Sequence, residues 1–168
     1  VLEGGTGMKR IKKESMEWWG EQMLLVTGIT GHSGKYFLKQ LIENKYEGKI
    51  RCVVRETSDT TLLDNSGLDI EKVVGDINDE VFMNKVMGGI DTVLHIASIF
   101  YSTILMKTAI QNNVRRAILV HTTGIYSKYK SASEEYKNIE LSIDKMIKEN
   151  SSSIGLIYLR PTMIFGYI

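Results

Sequence analysis

The sequence predicts an α/β domain built on an open, doubly wound parallel sheet. Three observations predict it. Short apolar runs rich in β-branched residues alternate with helical patterns along the chain. A glycine-rich turn, Thr27-Gly28-Ile29-Thr30-Gly31-His32-Ser33-Gly34, joins the first apolar run to the first helical pattern. A chain of 168 residues is long enough for one domain with a real core and little more.

Met23–Thr27 (MLLVT) is a short, continuous apolar run between glycines and reads as a buried parallel strand. Ser33–Asn44 follows with apolar or aromatic residues at 37, 38, 41 and 42, which is helical spacing. Ile50–Val54 (IRCVV) reads as a second strand and Glu71–Val74 (EKVV) as a short third. The polar stretch between them has no clear period, with room for a short helix near Thr60–Asn65. Asp79–Met87 reads as a helix, Asp91–Ile96 (DTVLHI) as the fourth strand and Tyr101–Asn113 as a helix. Ala117–His121 (AILVH) is the fifth strand, Ala132–Glu149 the longest helix, and Ile154–Leu159 (IGLIYL) the sixth strand, stopped by Arg160-Pro161. Strands spaced by helices pair in parallel through right-handed crossovers, which gives the strand order 3-2-1-4-5-6 of a Rossmann sheet.

The bulk composition excludes several functions. Hydrophobic residues at 43% and charged residues at 24% suit a globular protein. With 21 Lys+Arg against 20 Asp+Glu, the formal charge of +1 gives no reason to expect a nucleic acid or an anionic membrane as partner. No apolar run approaches the roughly 20 residues of a membrane span. The single cysteine, Cys52, lies in an apolar run and reads as a small buried hydrophobe rather than a reactive thiol. A cytoplasmic location fits this cysteine usage, and no metal site is expected. Residues 1–21 read as an N-terminal extension or appended segment whose Trp18-Trp19 pair can dock on the domain or on a partner, and residues 22–168 as the folded domain.

The turn carries the chemistry. Gly28, Gly31 and Gly34 sit where such a motif needs them, one for the tight turn, one for close approach to a pyrophosphate, one for packing helix on strand. The helix that follows offers free N–H groups and the positive end of its dipole to phosphate. Thr30 and Ser33 add hydroxyl donors, and His32 is either a phosphate donor or an exposed loop residue. A Walker-type phosphate loop does not fit, because the position five after Gly28 is Ser33 and not glycine. The expected ligand is therefore a nicotinamide dinucleotide. Arg55 stands at the end of the second strand, 21 residues after Gly34, where a guanidinium suits a 2′-phosphate; Thr57 and Ser58 are placed to assist. This favours NADP. NAD is the alternative, since a shift of one residue would put the Glu56 carboxylate on a 2′-hydroxyl.

With these motifs in view, the chain resembles the extended and atypical short-chain dehydrogenase/reductases, which include epimerase/dehydratases and NmrA-like NAD(P)H-binding proteins. The turn TGITGHSG carries most of the likeness. Gly75-Asp76-Ile77 resembles the third-strand end that contacts adenine, and His95-Ile96-Ala97-Ser98 the fourth-strand end beside the cofactor ribose and phosphates. Asn113-Val114-Arg115-Arg116, Thr122-Thr123-Gly124-Ile125-Tyr126 and Leu159-Arg160-Pro161-Thr162 with Gly166 follow in family order, so the resemblance spans residues 23–166. It implies cofactor contacts from Asp76, Ile77, Ala97 and Ser98. It also implies a carbonyl or nucleotide-sugar substrate handled by a Ser or Thr, a Tyr and a Lys. A homodimer through the helices after strands four and five is implied as well.

The catalytic set departs from that pattern. Tyr126 and Lys130 match the Tyr–Lys spacing literally but fall too early, directly after the fifth strand. Tyr136 is better placed, 13 residues after Thr123, with Thr122 or Thr123 as the hydroxyl partner. Four residues beyond Tyr136 stands Glu140, and a carboxylate there would raise a phenol pKa that is already about 10. Lys137 faces about 100° away around the helix. The sequence ends shortly after the sixth strand and reads either as a chain truncated before the substrate lobe of extended members or as a minimal binding domain whose substrate pocket comes from elsewhere. Two functions are expected from this: an NADP-dependent oxidoreductase or epimerase, or a non-catalytic NAD(P)H sensor of the NmrA-like kind.

Overall fold

A computed structural model of the chain describes residues 22–128 and 130–162. The segment 1–21 with Trp18-Trp19, and Gly166 of the last motif, lie outside the described residues. Six strands form one sheet: β1 (Met23–Thr27), β2 (Lys49–Val54), β3 (Ile70–Val74), β4 (Ile90–His95), β5 (Arg116–Val120) and β6 (Gly155–Leu159). Every pairing is parallel and the order is β3-β2-β1-β4-β5-β6, as the alternating pattern predicts. The intervening helices are α1 (His32–Glu43), α2 (Thr61–Asp64), α3 (Glu80–Val86), α4 (Ser102–Gln111) and α5 (Lys130–Glu149).

Several strands begin earlier than their apolar runs. Lys49 pairs with Met23, and Arg116 with both Thr92 and Gly155. Ladder hydrogen bonds come from the backbone, so a polar first residue joins a strand without changing the hydrophobic pattern. The fourth helix begins later than expected, because Ile99–Tyr101 form a 3-10 turn before it. The helix α3 is fixed at its start by Asp79, whose carboxylate accepts from the amides of Val81 and Phe82 at 2.9 and 3.0 Å.

β1 lies at the centre of the sheet and its neighbours alternate between two cores. Leu25 faces the core built with Met83, Val86 and Met87 around α3, Leu105, Met106 and Ala109 of α4, and Ile143 of α5. Val26 faces the other core, with Leu38 of α1, Ile50, Cys52 and Val54 of β2, and Leu63 of α2. Successive side chains of a strand point to opposite faces, so one apolar run feeds both layers. Burial pushes the Cys52 thiol up to about 12, which leaves it an apolar filler as its sequence setting suggests.

The sheet is not covered equally. On β6, Leu156 and Tyr158 pack against the first core, whereas Ile157 and Leu159 are 46% and 47% exposed. The continuous run IGLIYL suggests a strand buried on both faces, yet among the described residues only one face of β6 is covered. This asymmetry sets two expectations for urea unfolding. Leu105→Ala, at a fully buried site, lowers stability by about 3 kcal/mol. Ile157→Ser changes it by less than about 1 kcal/mol, because its site is already wet.

Candidate functional site

The C-terminal ends of the first four strands meet at one cleft of roughly 360 Å3. Its wall takes Gly28, Thr30 and Gly31 from the turn after β1, and Val53, Val54, Arg55 and Ser58 from the end of β2 and the loop beyond. Gly75, Asp76 and Ile77 come from the end of β3, and Ile96, Ala97, Ser98 and Tyr101 from the end of β4. A crevice beyond the carboxyl ends of parallel strands, where the strand order reverses between β1 and β4, is where open α/β sheets take ligands.

The turn is shaped by close contacts that admit no side chain. Gly28 has φ of +77°, and a Cβ there would stand 2.5 Å from the Ala97 nitrogen. A Cβ on Gly34 would fall on the carbonyl of Gly28 and the backbone of Ile29. The Gly31 amide donates to the Gly28 carbonyl at 3.0 Å, and the Lys35 amide to the Gly31 carbonyl at 2.9 Å. Gly31 caps α1, and no cap side chain accepts from the first amides of the helix.

A buried pair holds the turn from below. The Thr27 hydroxyl lies 2.6 Å from Nδ1 of His95, whose Nε2 lies 3.1 Å from the Ser98 carbonyl. A carbonyl can only accept, so Nε2 carries the proton and Nδ1 accepts from Thr27. The ends of β1 and β4 are thereby tied beside the cleft. Burial, with the neighbouring His121 in the same direction and the Ser98 carbonyl opposing, lowers the His95 pKa to about 4.

The sequence-derived residues divide into groups. Gly28, Thr30, Gly31, Arg55, Asp76, Ile77, Ala97 and Ser98 all line the cleft. Asp76 is oriented by accepting from the Asn78 amide at 2.9 Å. Gly34 lies beneath the turn, and Ser33 is not among the lining residues. His32 is exposed and meets Tyr36 edge-on at 5.4 Å between ring centres, outside the cleft wall. Tyr101 lines the cleft without having been singled out from sequence. It sits inside what reads as a helical pattern, and only the 3-10 turn before α4 brings it to the wall.

Thr122, Thr123 and Tyr136 stand together at the end of β5, outside that wall. The Thr122 hydroxyl accepts from the Gly124 amide at 3.0 Å, and Thr123 donates to the Pro161 carbonyl at 3.3 Å. The Tyr136 ring reaches over the same turn: a Cβ on Gly124 would come within 3.2 Å of both Tyr136 Cε2 and Thr122 Oγ1. Phe100, just beyond the fourth-strand end, lies 5.9 Å from the Tyr136 ring. Tyr126 is 69% exposed.

The place of Glu140 corrects the sequence expectation. Its carboxylate does not serve Tyr136 but is buried in a relay across four elements. Oε1 accepts from Nδ1–H of His121 at 2.9 Å and from Nε–H of Arg160 at 3.1 Å, and Oε2 accepts from Nη2–H of Arg160 at 2.6 Å. The far nitrogen of His121 accepts from Ser102 Oγ at 2.9 Å. Burial alone would raise the Glu140 pKa, yet the hydrogen bonds and charges of Arg160 and His121 hold it below the usual carboxylate range. Burial lowers the His121 pKa against the pull of Glu140. The Ser102–His121–Glu140 order is that of a hydrolytic triad, but Ser102 is fully buried, so the relay joins α4, β5, α5 and the end of β6 instead of attacking a substrate.

Comparison with known proteins identifies the family and the fold. The NAD(P)H-binding family matches residues 28–164, and the chain belongs to that family. It is 30% identical over 116 residues to sterol demethylase protein B of Methylococcus capsulatus, a stretch that covers 60% of this chain and 34% of that protein. An NADPH-dependent quinone oxidoreductase of Escherichia coli shares the fold at a TM-score of 0.63 and 20% identity, over 83% of this chain and 47% of that one. The enzyme WbmH of Bordetella bronchiseptica, solved with NAD+, shares it at 0.63 and 18% identity, over 83% and 55%. The chain thus spans about half the length of these solved structures and about a third of the curated relative.

Two buried histidines with lowered pKa values make stability depend on pH. Below the ordinary value of 6.5 the unfolded chain takes up protons that folded His95 refuses until about 4. Stability is therefore full above pH 6.5 and falls as the pH drops towards 4, with His121 acting in the same direction. Melting temperatures recorded across this window should decline on acidification, and His95→Asn should make the decline shallower. An identical slope in the variant would remove His95 from this account.

Proposed function

We propose that the protein holds NADP(H) in this cleft and acts as an oxidoreductase or epimerase on a carbonyl or nucleotide-sugar substrate. The observation that carries the reading is the convergence of four strand ends on a single cleft, with the uncapped start of α1 on one side and Arg55 on the other. In this reading the amides of the turn, with Thr30, face the pyrophosphate, Ser33 and Gly34 support that end, and His32, turned towards Tyr36, takes no direct part. Asp76 and Ile77 meet the adenine, Ala97 and Ser98 pass the ribose and phosphates, and Arg55 with Ser58 takes the 2′-phosphate. NAD is the alternative cofactor, with Glu56 in the part of the carboxylate.

When bound, the nicotinamide supplies or accepts a hydride. The chain's own contribution is a proton held at the Tyr136 phenol and a substrate oxygen held by Thr122 or Thr123. A phenol serves this purpose near neutral pH only beside a cation. The residue in the position expected for a lysine is Glu140, already engaged by His121 and Arg160. That engagement favours a second reading, a non-catalytic NAD(P)H sensor that uses the cleft without the chemistry.

Calorimetry with NADPH and NADH tests the binding, and a turnover screen with carbonyl substrates separates the two readings. The expected outcome is tighter binding of NADPH, weakened about tenfold or more by Arg55→Ala, since a charge-assisted hydrogen bond is worth about 1.5–3 kcal/mol. Turnover abolished by Tyr136→Phe supports the enzyme; NADPH binding without turnover on any substrate supports the sensor. Binding of neither dinucleotide would sink both.

A further inference from the structure

We propose that Lys35 is a specificity-determining residue for the 2′-phosphate of NADP(H), given up to that phosphate from a surface ion pair with Asp59. This inference rests on the dinucleotide reading above and deepens it. Lys35 directly follows Gly34 in the first turn of α1, and its Nζ stands 3.7 Å from Asp59 Oδ2. Asp59 in turn follows Ser58, which with Arg55 lines the cleft at the end of β2. The loop that carries all three is closed on itself: the Ser58 amide donates to the Arg55 carbonyl at 2.9 Å, and the Arg55 amide to Ser58 Oγ at 3.2 Å. The ion pair therefore brings the Lys35 ammonium from α1 onto the loop that presents Arg55.

The pair is built to exchange. At 3.7 Å it is longer than a charge-assisted hydrogen bond, and its side chains are 35% and 66% exposed. Such a pair is worth little, so parting it costs little. Asp59 stays in place, because its Oδ1 accepts from the amide of Thr61, the first residue of α2, at 3.0 Å. The mobile partner is the long lysine stem. The loop carries two carboxylates, Glu56 and Asp59, against the single guanidinium of Arg55. A 2′-phosphate approaching that loop is repelled unless a second cation balances it, and Lys35 is the cation the structure places there. A ribose with a bare 2′-hydroxyl gains nothing from it, so Lys35 separates NADPH from NADH.

Lys35→Met keeps the aliphatic stem and removes the charge, and Asp59→Asn keeps an acceptor for the Thr61 amide. Both variants are compared with the unaltered chain by calorimetry with NADPH and with NADH, after thermal melting has confirmed folding. Lys35→Met is expected to weaken NADPH about tenfold and leave NADH within about twofold. Asp59→Asn is expected to strengthen NADPH, and the NADPH preference should shrink as salt rises. Equal loss for both cofactors, or no loss for either, would overturn the proposal, as would weaker NADPH binding in Asp59→Asn. If Arg55→Ala weakens NADPH while Lys35→Met does not, this inference alone falls. If the unaltered chain binds neither dinucleotide, the underlying reading falls with it.

Discussion

The backbone of Gly28 lies so close to Ala97 that no side chain fits between them, and the rest of the site follows from that approach. It brings the end of β1 against the end of β4, at the point where the sheet reverses its strand order. Gly34, packed under the same turn, lets α1 start directly over the strand end. The Thr27–His95 hydrogen bond fixes the two strand ends from the core side. A helix start aimed into a crevice, with its first amides unclaimed, is the outcome. An anionic ligand is the natural partner for such a start.

Electrostatics then divides the molecule into a ligand end and a structural end. Around the cleft the charged groups are exposed and loosely held: Arg55 at the strand end, and Lys35 with Asp59 at the rim. At the end of β5 and β6 the Glu140 carboxylate is buried, held between His121 and the part-buried Arg160. Breaking a buried pair leaves an uncompensated charge, so such groups stay put, whereas a surface pair rearranges at little cost. The first group can therefore yield to a ligand, whereas the second braces the helices against the sheet. This brace also means that the position one helical turn after Tyr136 holds a carboxylate engaged elsewhere, where acid/base work at a phenol would call for a cation.

The fold was legible because its signals are local. The run MLLVT, the period of the first helical segment and the glycines at 28, 31 and 34 each point to the same βα unit, and the parallel order follows from chirality. Cys52 was legible too, since its neighbours are apolar. Other features depend on residues far apart in sequence. Glu140 reads as a neighbour of Tyr136 because both lie on one helix, yet its carboxylate follows the N–H of His121, 19 positions earlier, and the guanidinium of Arg160, 20 positions later. The buried His95 sits in an apolar strand, which signals a need for partners but does not name Thr27. His32 belongs to the turn by sequence but turns out towards Tyr36, while Tyr101 enters the wall through a 3-10 turn that no periodicity announces.

We propose that one cleft, at the carboxyl ends of β1 to β4, receives the dinucleotide. Amide chemical shifts followed by NMR during titration with NADPH test it most directly. The account predicts shifts concentrated at residues 28–34, 55–59, 75–77 and 96–101, with the largest at the first amides of α1. Shifts concentrated instead at the amino ends of β2 and β3, in the groove between Tyr46 and Leu68, with the turn unmoved, would contradict it.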